Sequence, residues 1–229
     1  ISRVEDTIQR ICNAYGIRQS HIFSIASCII VTLETKERQW ITQTRRILSY
    51  GTDMWKLDRL NDLSRRICAT QPSFEVIDRE YEKILKGPTY SPAVQCAVYA
   101  MTAGAFAVFF GGNLWDGFAS LFVGALIRVT LYAFAAIHMK AIFSNILCSL
   151  ISGIACILVC YIGLGRHVEM IMIGNIMLLI PGVLMTNSFR DFISGDMISG
   201  LLHFSEAMIT AVCVAVGFIM SKMLLGGML

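Results

Sequence analysis

The chain has 229 residues, a net charge of +3, 55% hydrophobic residues and a mean hydropathy of +0.64, too apolar for an ordinary soluble domain. Residues 1–90 carry 14 of the 19 Lys/Arg and 11 of the 16 Asp/Glu. The remaining 139 residues keep only Arg128, Lys140, Arg166, Arg190 and Lys222 against Asp116, Glu169, Asp191, Asp196 and Glu206, a density that lipid permits and a water-exposed surface does not.

The polar region comes first. The opening is charged and periodic, unlike a signal peptide, and because it starts on Ile1 the true start is expected to be trimmed. Val4, Ile8, Ile11 and Ala14/Tyr15 share one helical face, with Gly16 as the stop. His21–Leu33 reads as one strand and Gln39–Ser49 as a second, joined by the polar turn Glu34–Arg38. A helix over Met54–Ala69 carries Leu57, Leu60, Leu63 and Ile67, and another, capped by Ser73, runs to Leu85 before Gly87-Pro88. The expectation is a small α+β domain of order α-β-β-α-α over residues 1–90, with amphipathic helices that belong in water. Its basic patch, Arg45-Arg46 with Arg65-Arg66, is diluted by Asp58 and Asp62, so nucleic acid is not an expected partner.

From Pro92 the pattern becomes that of an all-α membrane bundle. Apolar runs over about 93–110, 114–136, 141–162, 168–189 and 198–221 are each near the length a bilayer requires, so residues 91–229 predict roughly five spans. Lys83 and Lys86 before the first span, His138 and Lys140 in the second connection and Arg190 in the fourth place the amino-terminal domain in the cytoplasm, with Arg166 and Lys222 against the rule. Ser120 with Gly124, and Ser149 with Gly153, predict close helix approach. Of the eight cysteines five lie in apolar runs and none forms a CxxC pair, so they read as small core residues and no metal is expected. HExxH, GxGxxG, Walker and GxSxG patterns are absent, and neither enzymatic activity nor a cofactor is expected.

Polar groups inside the apolar runs are the candidate site. Arg128 sits deep in the second run, either satisfied structurally or serving as counter-charge to an anionic substrate. Pro181-Gly182 predicts a break in the fourth span, followed by Thr186 and Asn187, either a plain kink or part of a transport site, since such breaks free main-chain groups that can line one. In the last run Asp196, Ser199, His203, Glu206 and Thr210 fall within about 80° on one stripe. Glu206 near mid-membrane and His203, an imidazole, suit proton coupling.

SRVEDTIQRICNAYG, KLDRLNDLSRRI, FFGGNLWDG and above all LLIPGVLMTNSFRDFISGDMISGLLHFSEA resemble the threonine/serine exporter family of bacteria, in particular its shorter branch implicated in succinate export. The resemblance covers essentially the whole chain. It implies a cytoplasmic domain followed by five spans in the bacterial inner membrane, and a second multi-span component, fused in long members and separate in short ones. A small separate membrane partner and a higher oligomer are therefore expected. The family motif maps to Pro181, Gly182, Thr186, Asn187, Arg190, Asp191, Gly195, Asp196 and Glu206. On this reading Arg128, Pro181, Gly182, Thr186, Asn187 and Arg190 bind substrate, while Asp191, Asp196, His203 and Glu206 form the proton-coupling or polar network. The substrate is succinate or threonine/serine. The alternative is a non-transporting structural or regulatory subunit whose cytoplasmic domain binds a partner.

Overall fold

The computed structural model describes residues 2–35, 38–48, 51 and 53–228. The chain divides into two compact units, one of Ile1–Thr89 with Thr186–Phe204, the other of Tyr90–Met185 with Ser205–Leu229.

The first unit begins with helix α1 (Ser2–Ala14), which Gly16 ends in the left-handed region at φ 74°. Three antiparallel strands follow in the order β1 (Ser20–Ile25), β2 (Cys28–Glu34) and β3 (Trp40–Arg46). The single strand read over His21–Leu33 is therefore two. The chain reverses at Ala26-Ser27, with Ile25 opposite Cys28, a two-residue turn lacking the Gly or Asn that usually marks one. The order is α-β-β-β-α-α, not α-β-β-α-α. Of the turn expected at Glu34–Arg38, Lys36 and Glu37 lie outside the described residues, as does Ser49 at the end of the second expected strand.

Helix α2 (Met54–Thr70) is capped by Asp53, whose side chain accepts from the Lys56 amide at 3.0 Å. Helix α3 (Phe74–Leu85) has Ser73 at its cap position, but that side chain makes no capping bond. Leu63, Ile67 and Ile84 form the buried core, with Ile11, Tyr15, Leu60 and Ile77 packed against them. Polar bonds tie the layers. Glu5 accepts from the Ser24 amide at 2.8 Å and from its hydroxyl at 3.0 Å, while the Tyr15 hydroxyl donates to the Pro72 carbonyl at 2.7 Å.

Among the described residues four helices are long and apolar enough to cross a membrane: α4 (Pro92–Phe109), α5 (Leu114–Ala136), α6 (Ala141–Tyr161) and α9 (Met197–Leu225). The segment expected as a fourth span is instead two short helices, α7 (Val168–Ile176) of 9 residues and α8 (Gly182–Ile193) of 12. At 1.5 Å per residue neither reaches across a hydrocarbon layer of ~30 Å.

The bundle of the second unit is assembled on small residues. A Cβ at Gly124 would lie 2.7 Å from the Tyr99 carbonyl oxygen, one at Gly104 2.9 Å from that of Gly117, and one at Gly174 2.7 Å from the Ala107 amide nitrogen. Helices α4, α5 and α7 therefore touch backbone to backbone, the approach that only small residues allow. Between α6 and α9, Ser149 fills the space beside Gly217, and Ser221 fills that beside Gly153. Ala119, Val123, Cys156, Ile157, Ile171, Met172, Val214 and Phe218 make the core.

Candidate functional site

Backbone chemistry sets the first feature. Pro181 has no N–H to donate, and residues 177–181 leave the helical path between α7 and α8. The chain is stitched across by Ile180 N to Ile176 O (3.1 Å), Gly182 N to Ile180 O (2.8 Å) and Met185 N to Pro181 O (3.0 Å). Among the described residues the carbonyls of Met177, Leu178 and Leu179 accept no main-chain hydrogen bond. Those oxygens are what such a break offers to a ligand, to water or to another chain.

Downstream, α8 has two unlike faces. Ser188 and Asp191 are buried, while Thr186, Asn187 and Arg190 are exposed. The helix ends in a double main-chain bond: Gly195 N donates to Phe192 O at 3.1 Å and Asp196 N to Asp191 O at 2.9 Å, with Gly195 at φ 84°. Asp196 then accepts from the Ser199 amide at 3.3 Å and so caps α9. Ser-Gly-Asp is thus the turn that reverses one helix into the next.

That reversal brings Asp191 and His203 together. His203 Nδ1 lies 3.0 Å from Asp191 Oδ2, with the two side chains only 16% and 9% exposed. Ser199, one turn before His203 on α9, is fully buried, and its hydroxyl has no hydrogen-bond partner among the described residues. The arrangement is an enclosed acid–imidazole pair that can hold a proton between its members. The stripe expected along α9 is therefore split: Ser199 and His203 turn inward, whereas Glu206 is exposed.

In the other unit Arg128 is half-buried on α5. Its Nε donates to Gln95 Oε1 at 3.0 Å, its Nη2 also reaches that oxygen, and its guanidinium lies 5.8 Å and 5.9 Å from the ring centres of Tyr99 and Tyr132. Among the described residues no carboxylate pairs with it, and an amide and two rings surround its guanidinium.

Sequence reasoning passed over a carboxylate that accepts four hydrogen bonds. Asp116 is fully buried; Oδ1 accepts from the amides of Arg166 (2.6 Å) and His167 (2.9 Å), and Oδ2 from the Asn113 amide (2.9 Å) and His167 Nδ1 (2.7 Å). Asn113 in turn accepts from the Asp116 amide at 2.9 Å, completing a capping box at the start of α5. The Asn-x-x-Asp spacing could have signalled the cap. Nothing local signals His167.

A family profile described as threonine/serine exporter matches residues 1–225. A threonine/serine exporter of Corynebacterium glutamicum is 24% identical over 210 residues, which cover 88% of this chain and 43% of that protein. The chain thus spans less than half the length of that relative. No solved structure matches it.

Proposed function

This chain belongs to the threonine/serine exporter family, and we propose that it is a subunit of a proton-coupled secondary exporter of small carboxylate metabolites. The observation that carries the reading is the enclosed Asp191–His203 pair, which follows the Pro181 break directly in sequence. A carboxylate and an imidazole in contact can take up one proton on one side of the membrane and release it on the other, provided the pair is exposed to each side in turn.

Substrate recognition follows from the remaining groups. A carboxylate entering an apolar region must be offset by positive charge and donors. Each unit has groups of that kind: on α5 Arg128 supplies a guanidinium that no carboxylate pairs among the described residues, and on α8 Thr186 and Asn187 carry hydroxyl and amide. A hydroxy amino acid needs one guanidinium and a dicarboxylate such as succinate needs two; Arg128 and Arg190 are the candidates, each on its own unit. On this reading residues 168–189, broken near Pro181, make up the fourth of five spans together with their surroundings, with the amino-terminal domain in the cytoplasm and the protein in the inner membrane. The exposed Asn187 and Arg190 call for polar company in a membrane, and a small multi-span partner protein would provide it.

The test is flux into proteoliposomes carrying this chain and its partner, with threonine, serine and succinate offered under an imposed pH gradient. Gradient-driven accumulation of one of them, lost in Asp191→Asn while substrate counterflow persists, is the expected result. Accumulation that is unchanged in Asp191→Asn would remove the pair from coupling. Flux left unchanged when Glu206 and Arg128 are both neutralised, with assembly intact, would favour a structural subunit instead.

A further inference from the structure

Strand β3 is exposed at every position from Trp40 to Arg46, and among the described residues it has a strand neighbour on one side only. An edge of this length leaves a row of main-chain donors and acceptors unpaired, which folded proteins normally cover, shorten or charge. Which groups face outward follows from the ladder. In the β2–β3 register Cys28 is opposite Arg46 and Glu34 opposite Trp40. Just beyond the strand ends, Thr35 N donates to Gln39 O and Ile47 N to Ser27 O, both at 2.8 Å. Hydrogen-bonded pairs alternate with non-bonded pairs in an antiparallel ladder. The odd-numbered residues Ile41, Gln43 and Arg45 therefore spend their main-chain groups on β2, and Trp40, Thr42, Thr44 and Arg46 point theirs at the open edge.

We propose that β3 pairs with β3 of a second copy of this chain, antiparallel and centred on Gln43, joining two three-stranded sheets into one. The sequence WITQTRR complements itself in that sense. Parallel in-register pairing would set Arg45 and Arg46 against their own copies, which like-charge repulsion disfavours. Antiparallel pairing about Gln43 sets Arg46 opposite Trp40, Arg45 opposite Ile41 and Thr42 opposite Thr44. Every outward main-chain group then meets an outward group, and each arginine meets an apolar or aromatic side chain, the first pair suited to a cation–π contact. Such an interface is isologous and closes as a two-fold dimer. The inference does not rest on the transport reading.

The pairing assigns distinct roles to neighbouring residues. Gln43 would face its own copy across a non-hydrogen-bonded pair, where the Cα atoms lie about 4.5 Å apart, within disulfide range. Oxidation of the full chain in native membranes should therefore link Gln43→Cys to itself at least ~5-fold more completely than Ile41→Cys or Arg45→Cys, whose copies would stand four residues apart along the strands, roughly 14 Å and beyond disulfide reach. Ile41→Cys and Arg45→Cys expressed together should link to each other. Thr44→Pro removes only an outward N–H, a substitution edge strands tolerate; in the Gln43→Cys chain it should abolish the link while the circular dichroism of the protein stays unchanged. Equal linking at 41, 43 and 45, linking at 43 that survives Thr44→Pro, or no linking above the wild-type chain would each overturn the proposal. If Thr44→Pro fails to fold, the 41/43/45 linking pattern decides alone.

Discussion

His167 Nδ1 lies 2.7 Å from Oδ2 of Asp116, fifty-one residues earlier, and makes the fourth hydrogen bond to a carboxylate with no exposed surface. Two of the other three come from main-chain amides of the α6–α7 connection, so Asp116 pins that connection to the start of α5. Both oxygens face N–H donors, which leaves no place for an amide NH2. Asp116→Asn is therefore expected to destabilise by about 2–4 kcal/mol, the range for disrupting a buried, charge-assisted network. His167→Ala should cost clearly less, because that side chain is more than half exposed. Thermal unfolding of the two variants in one detergent checks the ranking.

The glycines separate packing from backbone. A Cβ at Gly217 would overlap the Ser149 hydroxyl and lie 2.6 Å from the Ile146 carbonyl oxygen, whereas a Cβ at Gly182 meets nothing within 4 Å. Gly217→Ala should force α6 and α9 apart and cost roughly 1–3 kcal/mol, as overpacking does. Gly182→Ala should leave the melting temperature unchanged or raise it slightly, since it stiffens the first turn of α8 without a clash. A lower melting temperature for Gly182→Ala than for Gly217→Ala would show that the break carries strain not visible in its contacts.

Gly195 and Asp196 belong to the motif that led the sequence reading, yet their bonds are those of a helix reversal. With Gly195 at φ 84°, Gly195→Ala should cost about 1 kcal/mol, and Asp196→Ala a similar amount through the lost cap. Both should lower the yield of folded protein, and flux per folded molecule should fall only as far as the α8–α9 reversal is loosened. A variant of normal stability with no flux would make Asp196 a functional group in its own right.

The legible parts of the chain were those governed by local pattern. Helix α2 announces itself through Leu57, Leu60, Leu63 and Ile67 at helical spacing, α3 through Ser73 before it and Gly87-Pro88 after it, and Pro181 announces its break because a missing N–H acts wherever it occurs. The Ala26-Ser27 turn was hidden, since small residues without positive φ carry no turn signal and both flanks are equally apolar. Pairings across the chain were hidden too. A stripe along α9 grouped His203 with Glu206 correctly by angle, but burial depends on what packs alongside, and it is Asp191 on α8 that meets the imidazole. Likewise Arg128 was legible as an expensive charge, and Gln95, Tyr99 and Tyr132, which solvate it, were not.

The division between His203 and Glu206 gives the sharpest functional prediction. Both sit on α9 within one turn, and both carry a group that can gain or lose a proton, so sequence alone makes them equivalent. The structure does not: the His203 side chain is 16% exposed and in contact with Asp191, while Glu206 is exposed. A coupling group must be shielded from bulk protons except when the site opens to one side, or protons leak without substrate. His203→Gln keeps a donor toward Asp191 but removes the titrating nitrogen, so pH-driven accumulation should fall at least ~10-fold while substrate counterflow stays within about 3-fold of wild type, a general base or acid being worth that much or more. Glu206→Gln should keep most of its pH-driven accumulation. Measured side by side in proteoliposomes of equal protein content, the opposite order, with Glu206→Gln uncoupled and His203→Gln still responding to the gradient, would transfer the coupling role to Glu206 and reduce the Asp191–His203 contact to a structural bond.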